Sequence, residues 1–289
     1  MILFIIKSIE VIAIKTYYIE KMDKHKIIGR KIQFENDNIK IYMDLEKGKN
    51  TRKLVKRLLL NETNNVVIDK ELITCEKLIN LLKSNDIKIF DGKWLEKYLI
   101  LDILEYIINK KQIIKAETEI AITANEITDL LIEMIKILSK QYKKLTIVTN
   151  HIEKLRKIEK EIKEKEGILI ILSNNKNKSL LKSQFIINMD FNQELINQYK
   201  ICEEAIIINA EENIRIDAIR FNGIVINDYE IEIGRKEFIW RDGIEKYRQR
   251  DLIEAELYVR DTYKNIRKKI QKNSIKIKEL YGINGIVRI

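Results

Sequence analysis

Proline is absent from the 289 residues, and only nine are glycine. That excludes collagen-like repeats, proline-rich spacers and glycine-rich low-complexity segments, each of which needs one of the two in quantity. Cysteine occurs only at Cys75 and Cys202, too few to staple a small secreted domain, so a reducing, cytoplasmic setting is expected. Histidine is as scarce, at His25 and His151. With no HExxH, no CxxC and no Cys/His cluster, neither a structural zinc site nor another histidine-based metal site is expected. The GxSxG of a nucleophile elbow is missing too. Long hydrophobic runs are also lacking. The apolar start, Met1 to Ile6, is interrupted by Lys7, Glu10 and Lys15, well short of the ~20 apolar residues that a spanning helix needs. It lacks the basic flank and small-residue cleavage site of a signal peptide. Two explanations for it stand: an extra strand, or a true start at Met22.

What the chain does contain is charge and isoleucine. Charged residues make up 34% and hydrophobic ones 45%, with 54 basic against 44 acidic side chains and a net charge of +10. The excess favours contact with polyanions, but the two signs alternate along most of the chain, as on a mixed, solvated surface. Roughly one residue in five is isoleucine, far above ordinary usage. The length suits one large or two ordinary domains.

The pattern predicts a mixed α/β protein. Ile32 and Phe34, a turn at Asn36-Asp37-Asn38, then Ile39, Ile41 and Met43 read as a hairpin within residues 27–44. Leu54, Val55, Leu58 and Leu59 share one side of a helix over 50–60. Val66-Val67-Ile68 is a short strand, residues 71–84 a helix, and Ile87 to Phe90 a strand. After Asp91-Gly92, a long helix from Lys93 to about Lys111 carries Trp94, Leu95, Tyr98, Leu99, Ile103, Leu104 and Ile107. From residue 117 the alternation becomes regular, with strands at 119–123, 144–149, 167–172, 185–188 and 205–209. Helices are expected at 128–140, 151–165, 178–182 and 193–199. Strands that are continuous runs of β-branched residues belong in a parallel sheet covered on both faces, so a doubly wound sheet with right-handed crossovers is expected. Residues 213–216 and 223–226 look like a short hairpin or edge strands. A basic helix is expected from about Ile244 to Gln271, followed by a tail containing Ile275, Ile277 and Ile283. The implied organisation is an extension over 1–21, a small α/β domain over 22–112, a Rossmann-like domain over 113–234 and a basic C-terminal helix and tail over 235–289.

In the repeated region, Leu145-Thr-Ile-Val-Thr-Asn150 leads into a helix opening His151-Ile-Glu-Lys-Leu155, and Ser183-Gln-Phe-Ile-Ile-Asn188 forms a later strand. This resembles the nicotinamide-dinucleotide domain of the shikimate dehydrogenase and glutamyl-tRNA reductase type, over about residues 117–212. The order of small α/β domain, long linking helix and Rossmann domain is similar as well. The resemblance implies NAD or NADP as cofactor and hydride-transfer chemistry. The chain departs from it where His151 replaces an arginine after Asn150, and in the first strand–helix turn. That turn is Thr123-Ala124-Asn125-Glu126-Ile127-Thr128, without a glycine. Dinucleotide binding needs glycine there so that the backbone can approach the pyrophosphate, and Glu126 brings a carboxylate to the same place.

If a ligand binds, Ala124, Asn125, Glu126, Asn150, His151, Ser173 and Asp190 are its candidate contacts, with Asn174 and Asn209 at other strand ends. The carboxyl edge is where open α/β sheets bind ligands. Asn125 or Thr128 serves equally well as a helix cap. Cys75 and Cys202 read as small core residues, and Gly48-Lys49-Asn50-Thr51 lacks the upstream glycine of a P-loop. Lys264, Arg267, Lys268, Lys269 and Lys272 lie in a stretch free of acidic residues, flanked by Tyr258, Tyr263 and Tyr281, which suits nucleic-acid phosphates. Three functions are therefore expected, in order of preference. The first is a cytosolic Rossmann-like regulatory, scaffolding or small-ligand module without ordinary dinucleotide binding. The second is an NAD(P)-dependent oxidoreductase with an aberrant phosphate loop, and the third a basic nucleic-acid-associated protein.

Overall fold

The computed structural model describes residues 16–22, 32–166, 170–234, 244–258 and 261–289. The apolar start at Met1–Ile6, His25, and the first residues of the strand expected at 167–172 lie outside the described residues. The chain divides into two compact units, one of residues 1–91 and 241–259, the other of 92–240 and 260–289.

The first unit is built on β1 (Tyr17–Lys21), β2 (Ile32–Glu35), β3 (Asn38–Ile41), α1 (Gly48–Leu60), β4 (Asn65–Ile68), α2 (Glu76–Lys83) and β5 (Lys88–Phe90). The strands lie in the order β2-β3-β1-β4-β5, parallel except for the β2–β3 hairpin, whose turn residue Asn36 sits at φ 51. Asparagine tolerates that left-handed region because its short side chain bonds locally. The hairpin pairs Phe34 with Ile39 and Ile32 with Ile41, as the alternation predicts. Ile19, Ile39, Leu54, Leu58 and Leu78 meet in its core.

The second unit opens with α3 (Lys93–Lys111), followed by β6 (Glu119–Thr123), α4 (Asp129–Leu138), β7 (Lys144–Val148), α5 (Ile152–Glu166), β8 (Ile170–Ser173), β9 (Phe185–Asn188), the short α6 (Gln193–Ile196), β10 (Ile206–Asn209) and β11 (Ile224–Ile226). Six strands, all parallel, lie in the order β8-β7-β6-β9-β10-β11. Counted from β6, that is 3-2-1-4-5-6, the order of doubly wound dinucleotide-binding sheets. The order reverses between β6 and β9, and a crevice opens beyond the strand ends at such a switch point. The expected α/β architecture, with a Rossmann-like parallel sheet, is therefore present.

The remaining elements are β12 (Asp228–Ile233), α7 (Gln249–Leu257), α8 (Tyr263–Lys272), β13 (Ile275–Gly282) and β14 (Gly285–Ile286), with β12, β13 and β14 in an antiparallel sheet. The single basic helix expected over 244–271 is two helices, and they fall in different units. The Thr262 side chain restarts the chain as a cap, accepting from the Asn265 amide. In the first unit, Tyr247, Leu252, Ala255 and Tyr258 around α7 pack on Val67 and Phe90.

Two other expected elements are absent. Residues 178–182 form turns, in which the Ser179 hydroxyl donates to the Asn175 carbonyl at 2.6 Å, the local bonding by which serine competes with helix. The segment 213–216 is not a strand. Both backbone groups of Ile214 are bonded by the Asn227 side chain, leaving none for a sheet partner. Gly223, just before β11, explains how that strand joins the sheet: a Cβ there would lie 2.1 Å from the Ala205 carbonyl oxygen. Gly223→Ala should therefore lower unfolding stability by about 2 kcal/mol through forced backbone displacement. A urea midpoint equal to that of the unaltered chain would disprove the need for this close approach.

Candidate functional site

The site is built at the carboxyl ends of β6 and β9. Isoleucine-rich β9 buries every residue from Phe185 to Asn188, and then Met189 and Asp190 turn out over the sheet edge. Asp190 reaches back to the first strand–helix turn. Its Oδ1 and Oδ2 each accept from the Asn125 amide at 2.8 Å, and Oδ2 also accepts from the Glu126 amide at 2.7 Å. Those are the outward N–H groups of the turn that would cradle a pyrophosphate, and here a carboxylate of the chain itself takes them.

Asn125 completes the closure. Its side-chain oxygen accepts from the Asn150 amide at 2.9 Å, tying the turn to the end of β7. Thr128 then caps α4, its hydroxyl accepting from the Leu131 amide at 3.2 Å. Burial holds the Asp190 carboxyl above the usual carboxylate range. The two amide bonds pull it the other way, and the charges of Glu126 and Glu211 reinforce the rise.

Below this turn runs a line of buried amides. Asn188 and Asn209 end β9 and β10, and Asn227 directly follows β11, all essentially inaccessible. The Thr123 hydroxyl donates to Asn188 Oδ1 at 2.6 Å, Asn188 Nδ2 to Asn209 Oδ1 at 2.8 Å, and Asn209 Nδ2 to Asn227 Oδ1 at 2.9 Å. The chain of bonds crosses β6, β9, β10 and the end of β11. It gives each side-chain amide oxygen and nitrogen a partner within the protein and pins the loops above, through Phe191 and Ile214. The signal for it lay in the sequence, where Ile-Ile-Asn188, Ile-Ile-Asn209 and Val-Ile-Asn227 end successive strands with the same residue.

Beside Asp190 lies a half-open cavity of about 150 Å3. Trp94, Lys97 and Tyr98 from the first turns of α3 form one wall, and Glu126, Met189 and Asp190 the other, all within the second unit. The Trp94 and Tyr98 rings, one helical turn apart, have centroids 4.7 Å apart at 49°. Tyr263 stacks on Tyr98 at 6.0 Å, and Lys97 pairs with Glu211 at 2.9 Å. Periodicity placed Trp94 and Tyr98 on the apolar face of a helix, and nothing in the spacing showed that this face borders a cavity.

Of the candidate contacts, Ala124, Asn125, Glu126 and Asp190 converge, and Asn150 joins them through Asn125. Ala124 is buried, its amide donating to the Val148 carbonyl, and Glu126 is exposed. His151 is exposed, its amide donating to the Thr149 hydroxyl at 3.0 Å. Ser173 shares a 2.7 Å bond with the Ser179 hydroxyl in its own loop. Among the basic residues of α8, Lys264, Lys268 and Lys272 are exposed. Arg267 instead turns inward to form a two-pronged pair with Asp102 and to donate to the Tyr98 carbonyl, and Lys269 lies 3.5 Å from Asp261.

No protein-family model matches the chain, and no curated protein is significantly similar to it. Fold and site together define an α/β protein with a Rossmann-like parallel sheet whose first turn is closed by an internal carboxylate. Among the described residues no helix is long and apolar enough to cross a membrane.

Proposed function

We propose that this chain is a Rossmann-like regulatory or small-ligand module that does not bind dinucleotides in the ordinary way, rather than a dehydrogenase of the shikimate type. The observation that carries the reading is Asp190 bonded to the Asn125 and Glu126 amides. A pyrophosphate entering this turn would have to displace a carboxylate already holding the same donors, and would meet the negative charge of Glu126. The absence of glycine keeps the backbone from approaching a phosphate even if Asp190 moved. Further along the edge, neither an acidic residue nor an arginine stands at Asn150-His151 to read a ribose hydroxyl or a 2′-phosphate.

The test is thermal unfolding of the full chain with millimolar NAD, NADH, NADP or NADPH. A cofactor at 100 times its dissociation constant stabilises by about 2.7 kcal/mol, so binding would be plain. No shift is expected, and a saturable shift with any of the four would overturn the proposal in favour of the oxidoreductase. Asp190→Ala, which frees both amides, should still show no shift with any of the four, because the turn keeps Glu126 and lacks glycine.

A further inference from the structure

We infer that the cavity between α3 and the β6 and β9 strand ends is a binding site for a small organic cation, a primary or quaternary amine of roughly six to ten non-hydrogen atoms. This rests on the proposal that the adjoining turn takes no dinucleotide, and it names the ligand class that the same crevice would take.

Size comes first. The cleft is half open to solvent and holds about 150 Å3, a volume that in apolar cavities accommodates a molecule such as benzene. The lining sets the chemistry. Leu130, Leu131 and Met189 offer an apolar surface, and the Trp94–Tyr98 pair offers aromatic rings, which attract cations through their negative faces. The polar groups are carboxylates. Asp190 and Glu126 border the space, and Lys97, the single cation lining it, is neutralised by Glu211 at 2.9 Å. A chain of net charge +10 thus presents a locally acidic cavity. Burial is the main cause of the rise in the Asp190 carboxyl, the Glu126 and Glu211 charges add to it, and a cation bound beside the group would oppose it. An anion would meet both carboxylates, whereas a cation would be attracted by them. Among the described residues no three histidine, cysteine, aspartate or glutamate side chains converge to hold a metal ion. Rings and leucines, which cannot ligate a metal, suit instead the hydrocarbon part of an amine. Asp190 then has two roles, bonding the Asn125 and Glu126 amides along one side and facing the amine from the other.

Calorimetric titration of the full chain with benzylamine and tetramethylammonium, against benzyl alcohol and benzoate, tests the assignment. Both cations should bind saturably, benzylamine at least about tenfold more tightly than the alcohol or the acid, the worth of one charge-assisted contact. Glu126→Gln alters an exposed side chain and should leave folding unchanged. It should weaken benzylamine severalfold, and Asp190→Asn about tenfold, with circular dichroism confirming that each variant is folded. Equal affinity for benzylamine and benzyl alcohol, or full benzylamine affinity in both variants, would overturn the inference. So would the absence of binding by either cation. The nucleotide titration keeps the two readings apart. No response to either amines or nucleotides removes this site and leaves the closed turn standing, whereas nucleotide binding removes the proposed function itself.

Discussion

Asn188→Ala should lower the unfolding free energy by about 4 kcal/mol, the upper range for a single substitution. The side chain occupies a fully inaccessible position and makes four bonds. Its Oδ1 accepts from the Thr123 hydroxyl and the Phe191 amide, and its Nδ2 donates to the Phe191 carbonyl and to Asn209 Oδ1. Alanine removes all four at once, leaving polar atoms of Thr123, Phe191 and Asn209 without these bonds, at about 1–3 kcal/mol for each one left unsatisfied. Partial relaxation keeps the sum below simple addition. Asn188→Asp should be worse, because its second oxygen would face the Phe191 carbonyl and Asn209 Oδ1, both acceptors. Asn150→Ala, at an exposed position along the same edge, supplies the contrast and should cost well under 1 kcal/mol. Urea unfolding followed by circular dichroism measures all three. If Asn188→Ala and Asn150→Ala were equally mild, the amide line would be incidental to the fold.

Acidity should also move stability in a direction unusual for a carboxylate. Asp251, on α7 of the first unit, is 1% exposed, and burial raises its carboxyl to about 6, although the Arg248 and Arg250 charges pull downward. Arg248 Nε donates to Asp251 Oδ2 at 2.8 Å. Because the raised value belongs to the folded state, the folded chain holds this proton across a range where the unfolded chain has released it. Stability from this group is therefore greatest below about pH 4 and falls as pH rises toward 6, by roughly 3 kcal/mol at most. Asp261, whose carboxyl is held low chiefly by the Asn265 side chain, acts in the opposite sense from an exposed position. The decisive quantity is the difference between the unaltered chain and Asp251→Asn, measured by urea unfolding at pH 4, 5, 6 and 7. The difference should change steadily across that interval. A constant difference would show that Asp251 is ionised throughout.

Much of the architecture could be read without coordinates because it follows from repetitive patterns. Runs such as Ile206-Ile-Ile-Asn209 bury both faces of a strand, and Leu130, Leu131, Met134, Ile135 and Leu138 return at helical spacing, so strands were legible as unbroken β-branched runs and helices by their period. Expectation and structure part where a single side chain decided the backbone, whether from nearby or from a distant position. Asn227 occupies the Ile214 backbone and prevents a strand, and the Thr262 cap divides the basic segment into α7 and α8. Arg267, one of a row of cations in the sequence, faces inward because Asp102, far away in the chain, takes both prongs of its guanidinium.

For the candidate site the division is similar. A turn without glycine, bearing Glu126, is a local property, and the sequence by itself was enough to argue against pyrophosphate binding there. That Asp190 closes the turn depends on β6 and β9 lying side by side, with Thr123 opposite Asn188, a pairing between residues 65 apart in sequence. Likewise, Trp94 and Tyr98 border a cavity only because α3 lies near the end of that same sheet. Short-range periodicity and composition thus determined the α/β alternation and the loss of the glycine cradle, since both depend on neighbours within a few residues. Strand order, the bonding of the three strand-end asparagines to one another and the acidic aromatic cavity were decided by tertiary structure, although the asparagines themselves recur visibly in the sequence. Each consists of contacts between segments whose separation in sequence leaves no periodic trace.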